Sequence, residues 1–183
     1  MNIGIIGLGF MGGSLAKSLS KLEKVDNIIA YDLDLNSLKK AKDDGVITNY
    51  ANYIGDDFSD LDIIFLCTPV KLIKHYAESL EKIVKKDCII TDIGSTKKEV
   101  LNDVENLNIT FIGGHPMIGS ERSGYETSID YLFENSFYIL TPKSNKQPIN
   151  ILKDLIIEIG AIPVILEQQK HDYITAVISH VPH

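Results

Sequence analysis

Short apolar runs alternate with longer amphipathic stretches along almost the whole 183-residue chain. Residues 2–6, 27–31, 63–67, 88–92, 109–112, 136–140 and 161–166 read as strands. Several are apolar nearly throughout, the pattern of strands covered on both faces of a parallel sheet. Residues 10–22, 35–43, 70–84, 97–107 and 149–159 carry helical spacing between them. In the last of these, Ile151, Leu155 and Ile159 recur on one side while Lys153, Asp154 and Glu158 face away. The βαβα alternation predicts an α/β domain over residues 1–166, a doubly wound, Rossmann-type, mostly parallel sheet. At Glu167 the texture changes. A polar stretch opens a further helix with Tyr173, Ala176, Val177 and Val181 near one face. Residues 167–183 read as the start of a second, helical domain that is cut short.

The first strand runs into Gly7-Leu8-Gly9-Phe10-Met11-Gly12, and an amphipathic helix follows. The G-x-G-x-x-G string is weak alone and gains meaning from this strand–turn–helix setting. Gly7 permits the tight turn, Gly9 lets a diphosphate approach the backbone, and Gly12 lets the helix pack on the strand. With Phe10 and Met11 the glycines form the predicted diphosphate site, where unpaired N–H groups and the helix dipole favour an anion. Asp32 ends the next strand, twenty residues after Gly12. An acidic side chain there accepts hydrogen bonds from the adenosine ribose and repels a 2′-phosphate. No arginine follows it, so NAD is expected over NADP. Thr68 and Pro69 end another strand and are placed to line the crevice. An ordinary strand-to-helix turn with proline near its first helical position explains them equally well.

A histidine lies in Gly113-Gly114-His115-Pro116-Met117-Ile118-Gly119-Ser120, read as a tight glycine-walled loop after a strand. Its two glycines allow a sharp turn or close approach of a ligand. Pro116 restricts His115 to extended geometry, and imidazole titrates near neutrality. Ser95, in Asp92-Ile93-Gly94-Ser95-Thr96-Lys97, reads as a helix N-cap on the same rim and could orient the imidazole. Arg122, seven positions after His115, is the one arginine among 18 basic residues. It either contacts a substrate or faces solvent.

Composition narrows the field. The net charge of −7 and the lack of any basic stripe argue against a nucleic-acid partner. Nothing resembles a signal peptide or a bilayer-spanning run. Cys67 and Cys88 both lie in apolar runs, as buried free thiols of a reducing compartment do. The protein is read as cytoplasmic, and no metal site is expected.

Four segments, in order, resemble the prephenate and arogenate dehydrogenase family of tyrosine biosynthesis. They are Gly7 to Ala16, Asp92 to Lys97, Gly113 to Gly124, and Ser179-His180-Val181-Pro182-His183. The first is shared by many dehydrogenases; the last two are far more restricted to this family. The resemblance implies NAD-dependent oxidative decarboxylation of prephenate to 4-hydroxyphenylpyruvate. It places His115 on the substrate hydroxyl as proton acceptor, with Ser95 hydrogen-bonded to it. It places His180 and His183, His183 above all, against the substrate's carboxylates, with Ser120, Glu121 and Arg122 nearby. It also implies that the family's substrate arginine lies past His183 and that the full-length protein is a homodimer. His75 and His171 receive no role. Other readings stand beside this one. Arogenate is an alternative substrate. A β-hydroxyacid-type NAD(P) dehydrogenase shares the first motif and Thr68-Pro69, but would carry a lysine where this chain has His180 and His183. A non-enzymatic NAD-binding module, inactive as this stretch, is the third.

Overall fold

The computed structural model describes residues 1–144 and 148–171. Eight strands form one sheet: β1 (Asn2–Ile6), β2 (Asn27–Tyr31), β3 (Asn49–Tyr50), β4 (Ile63–Leu66), β5 (Ile89–Asp92), β6 (Thr110–Pro116), β7 (Phe137–Pro142) and β8 (Ile162–Ile165). Their order is β3-β2-β1-β4-β5-β6-β7-β8. Every pairing is parallel except β6 with β7. Five helices pack on it: α1 (Phe10–Leu19), α2 (Leu35–Asp43), α3 (Val70–Glu81), α4 (Lys98–Asp103) and α5 (Ile149–Glu158). The predicted mostly parallel, doubly wound sheet is therefore present.

Each parallel strand sends alternate side chains to opposite faces. Ile3, Ile5, Ile63 and Phe65 meet Leu15, Leu19, Leu38 and, further along, Leu152 and Leu155. Ile6, Ile64, Leu66 and Ile90 meet Ile73, Ala77, Leu80, Val100 and Leu101. Two apolar layers thus hold one rigid sheet between helices. The strand order reverses direction at β1 and β4, which opens a crevice at their carboxyl ends. Among the described residues no helix is long and apolar enough to cross a membrane.

Several expectations shift. The short strand β3 carries no apolar run and escapes pattern reading. In α5 the buried residues are Leu152, Leu155 and Ile156, whereas Ile151 is half exposed. Leu152, one residue on from Ile151, faces the sheet because the helix meets it through a broader stripe than a single i, i+4 row. Helix α4 begins at Lys98, with Lys97 at its N-cap position, so Ser95 is not the cap. The largest change concerns His115. It lies within β6, paired with Ile139 of β7, and not in a loop. The glycines before it serve close packing: a Cβ on Gly114 would stand 2.3 Å from the Asp92 carbonyl oxygen.

Candidate active site

The glycine turn has the form its motif predicts. Gly7 has φ +96°, in the left-handed region that favours glycine. A Cβ on Gly12 would lie 1.9 Å from the Gly7 carbonyl oxygen, so only glycine lets α1 seat against β1. A Cβ on Gly9 would meet nothing within 4 Å. Packing therefore does not require glycine at position 9; the open space above it does the explaining. Gly9 occupies the N-cap position of α1 without a side-chain hydrogen bond to the first turn. The N–H groups of that turn, around Phe10 and Met11, suit an anionic diphosphate.

Asp32 stands beside the turn. One carboxylate oxygen accepts from the Leu8 N–H and the other from the Asp34 N–H, 2.7 Å away. These bonds fix the carboxylate at the mouth of a hollow of about 260 Å³. Tyr31, Leu33, Leu72, Tyr76, Thr68 and Pro69 are among its walls. Leu33 is an apolar side chain 83% exposed. Apolar walls with one fixed carboxylate suit an adenosine. Thr68 Oγ1 is buried with no hydrogen-bond partner among the described residues. The predicted Thr68 and Pro69 do line the crevice, and Pro69 also takes the N-cap position of α3.

A second cleft, of about 610 Å³, continues from the first through Gly9, Cys67, Thr68 and Pro69. Phe10, Met11, Ser95, His115, Ser120 and Arg122 also line it. Glu121, between the last two, is exposed. Apart from Gly12 and Glu121, the sequence-predicted residues of the described chain thus line one continuous crevice, whereas His180 and His183 lie outside the described residues. Cys67 is a partly buried free thiol in this wall. Burial, and after it the Asp92 carboxylate, push its thiol pKa far above the ordinary range.

Beneath His115 lies a pair that the sequence reading did not single out. Lys97 Nζ donates to Asp92 Oδ2, and both side chains are fully buried. Asp92 Oδ2 also accepts from the Gly94 N–H at 2.8 Å, and Oδ1 from the Gly114 N–H at 3.1 Å. One carboxylate therefore ties the loop bearing Ser95 to the strand bearing His115. A buried carboxylate needs such saturation, since desolvation would otherwise outweigh the ionic attraction.

The chain leaving His115 is tied down as well. Ser14 Oγ accepts from the Ile129 N–H at 3.0 Å, Ser18 Oγ donates to the Asp130 carbonyl at 2.9 Å, and Lys17 Nζ donates to the Ser128 carbonyl at 2.9 Å. A Cβ on Gly13 would strike the Tyr125 ring at 2.8 Å. Helix α1 thereby serves two purposes. Its N-terminus faces the glycine turn, and its flank anchors the segment that carries Ser120 and Arg122.

His115 Nδ1 lies 2.9 Å from His171 Nε2. His171 is fully buried. It sits on a helical turn, residues 168–171, docked against α4 by Gln168, whose Nε2 donates to the Lys98 carbonyl at 3.1 Å. Sequence reasoning gave His171 no role. Its one signal was a histidine in a polar stretch, and nothing local says that the stretch folds back onto β6.

The family described as prephenate dehydrogenase, nucleotide-binding domain, matches residues 15–165. Prephenate dehydrogenase of Bacillus subtilis is 36% identical over 98% of this chain and 50% of its own length. A crystal structure of prephenate dehydrogenase from A. aeolicus, in complex with hydroxyphenyl propionate and NAD+, superposes with a TM-score of 0.90. It is 37% identical over 98% of this chain and 64% of that one. The Synechocystis arogenate dehydrogenase structure gives 0.92 at 30% identity, with the same coverage of both chains. The chain spans about half the length of the first curated relatives it matches.

Proposed function

Because this chain belongs to the prephenate dehydrogenase family, whose nucleotide-binding domain it matches, we propose that it binds NAD and carries the proton acceptor for oxidative decarboxylation of prephenate in tyrosine biosynthesis. One observation supports this most: a diphosphate-type glycine turn and a histidine open onto the same continuous crevice. The similarity to a relative crystallised with NAD+ supports the choice of cofactor, and so does Asp32, whose charge would repel a 2′-phosphate. Gly7, Gly9 and Gly12, with the first turn of α1, would hold the diphosphate; Asp32 would hold the adenosine ribose. Bound NAD would accept the hydride from the ring carbon that bears the hydroxyl.

The protein's own part is to orient and to deprotonate. As the carbonyl forms at that carbon, its proton must leave, and neutral imidazole at His115 takes it. Ser95, on the rim of the same cleft, is the residue proposed to bear on the hydroxyl–imidazole contact. Ser120, Glu121 and Arg122 are proposed to lie along the substrate, with His180 and His183 at its carboxylates. The full-length protein is proposed to be a cytoplasmic homodimer; residues 167–183 would begin its helical domain. Arogenate is the second reading, favoured by the similarity to the Synechocystis enzyme.

The test is turnover of prephenate and of arogenate by the full-length protein with NAD and with NADP, following formation of the reduced cofactor. Oxidation of prephenate with NAD is expected. Preferred use of arogenate would move the substrate assignment, and turnover of neither would end the proposal.

A further inference from the structure

The imidazole pair has a direction that the reaction requires. Only one hydrogen can occupy the 2.9 Å space between His115 Nδ1 and His171 Nε2. If that hydrogen belongs to His115, its Nε2 carries a lone pair and can accept a proton. If it belongs to His171, a neutral His115 must carry its proton on Nε2 and cannot act as a base. The identity of the donor therefore decides whether His115 is active.

We propose that His171 is a positioning residue: its neutral Nε2 accepts from His115 Nδ1–H and so holds His115 in the tautomer whose Nε2 receives the substrate's hydroxyl proton. This rests on the dehydrogenase reading given above. In the step itself the substrate O–H bond breaks, its proton passes to His115 Nε2, and the Nδ1 hydrogen stays in place. The imidazolium that forms then donates through Nδ1 to His171, which spreads the charge over two rings. A carboxylate commonly takes this orienting position. Here the carboxylate below, Asp92, is spent on Lys97 and on the Gly94 and Gly114 N–H groups, and an imidazole stands against His115.

The burial of His171 supports the assignment, because a ring sealed from solvent is held by packing in its contact with His115. The rings are tilted at 58° with centroids 5.1 Å apart, so the contact runs nitrogen to nitrogen and is not a face-to-face stack. The segment is anchored independently. Gln168 holds it to α4, and the His171 N–H donates to the Glu167 carbonyl at 2.9 Å. Other titratable or charged groups stand around the pair. They are the Asp92–Lys97 pair below β6, Tyr138 on β7, Cys67 and Arg122 in the cleft, and Glu167 and Lys170 on the turn that carries His171.

The experiment uses the full-length protein in three forms: unaltered, His171→Leu and His171→Gln. The glutamine amide oxygen can stand near the position of Nε2 and accept without titrating. His171→Leu is expected to lower kcat on the order of 10²-fold, with NAD affinity unchanged. His171→Gln is expected to recover most of the loss. Full kcat in the leucine variant, or a glutamine variant no better than leucine, would overturn the proposal. A readout free of turnover separates this from the dehydrogenase reading. In protein labelled with 15N-histidine, His115 should carry its proton on Nδ1, and His171→Leu should shift it toward Nε2. An unchanged tautomer would overturn the pairing. Absence of turnover in the unaltered protein would overturn the reading of function, and the spectrum would still decide the pair.

Discussion

The crevice has two ends, and they are built in different ways. At the nucleotide end, six consecutive residues, Gly7 to Gly12, make the turn, the open cradle and the helix contact, and Asp32 joins them from the end of the next strand. At the histidine end no single run of residues makes the site. His115 meets His171, 56 residues away, and Asp92 reaches the Gly114 N–H across 22 residues. The first end is a backbone device, so its requirements appear as glycines at fixed spacing. The second is a side-chain device, and its parts come together only when β5, β6 and the turn at residues 168–171 have packed. Damage at the first end should therefore read out in cofactor affinity, and damage at the second in turnover or in stability.

The largest expected effect is at the histidine end. In the full-length protein His115→Asn should lower kcat by about 10²–10⁴-fold, the range that a positioned general base supplies, and leave the NAD dissociation constant unchanged. Steady-state kinetics and a nucleotide titration check both halves; a parallel loss of NAD affinity would erase the proposed separation of the two ends.

Next comes the buried pair. Lys97→Met leaves the Asp92 carboxylate sealed without its ammonium partner. Removal of one member of such a pair costs about 3–5 kcal/mol. Denaturant unfolding should show a loss of that size, and adding Asp92→Asn should recover part of it. A loss well under 1 kcal/mol would remove the pair from the account of how His115 is held.

The nucleotide end should break differently at two glycines. Gly9→Ala meets no protein atom, so the melting temperature without nucleotide should stay put. NAD affinity should fall about tenfold or more, some 1.4 kcal/mol. Gly12→Ala should lower stability as well, because its methyl group would collide with the Gly7 carbonyl. Equal behaviour of the two variants would contradict the roles assigned to them.

The smallest effect concerns the thiols. Burial pushes the Cys88 pKa up to about 12, so at pH 8 the folded protein should hold it as the unreactive thiol. Iodoacetamide should label it only after denaturation. The sign follows from the raised value: the thiolate is disfavoured in the fold, and alkaline pH destabilises the native state.

The structure also separates what glycine spacing announces from what it hides. Gly7, Gly9 and Gly12 each have the environment their motif implies. The glycines before His115 do not make the loop expected of them; they let β6 lie tight against Asp92 and Lys97. Gly13 lies just outside the motif and serves the segment after β6, through the Tyr125 ring. A glycine in a sequence says that space or backbone freedom is needed, and does not say which neighbour requires it.

The sequence by itself determined the sheet with its two apolar layers, the nucleotide turn and His115 as the candidate base. Apolar periodicity and backbone requirements are local, and local needs are written at consecutive positions. The tertiary structure alone decided that His115 sits in a strand, that Lys97 balances Asp92 beneath it, and that His171 is the ring at its side. The contacts that bring His171 and Asp92 to β6 join residues 56 and 22 apart in the chain, and burial seals the Asp92–Lys97 pair. Their energies come from burial and from hydrogen bonds between side chains, and only the packed fold creates both.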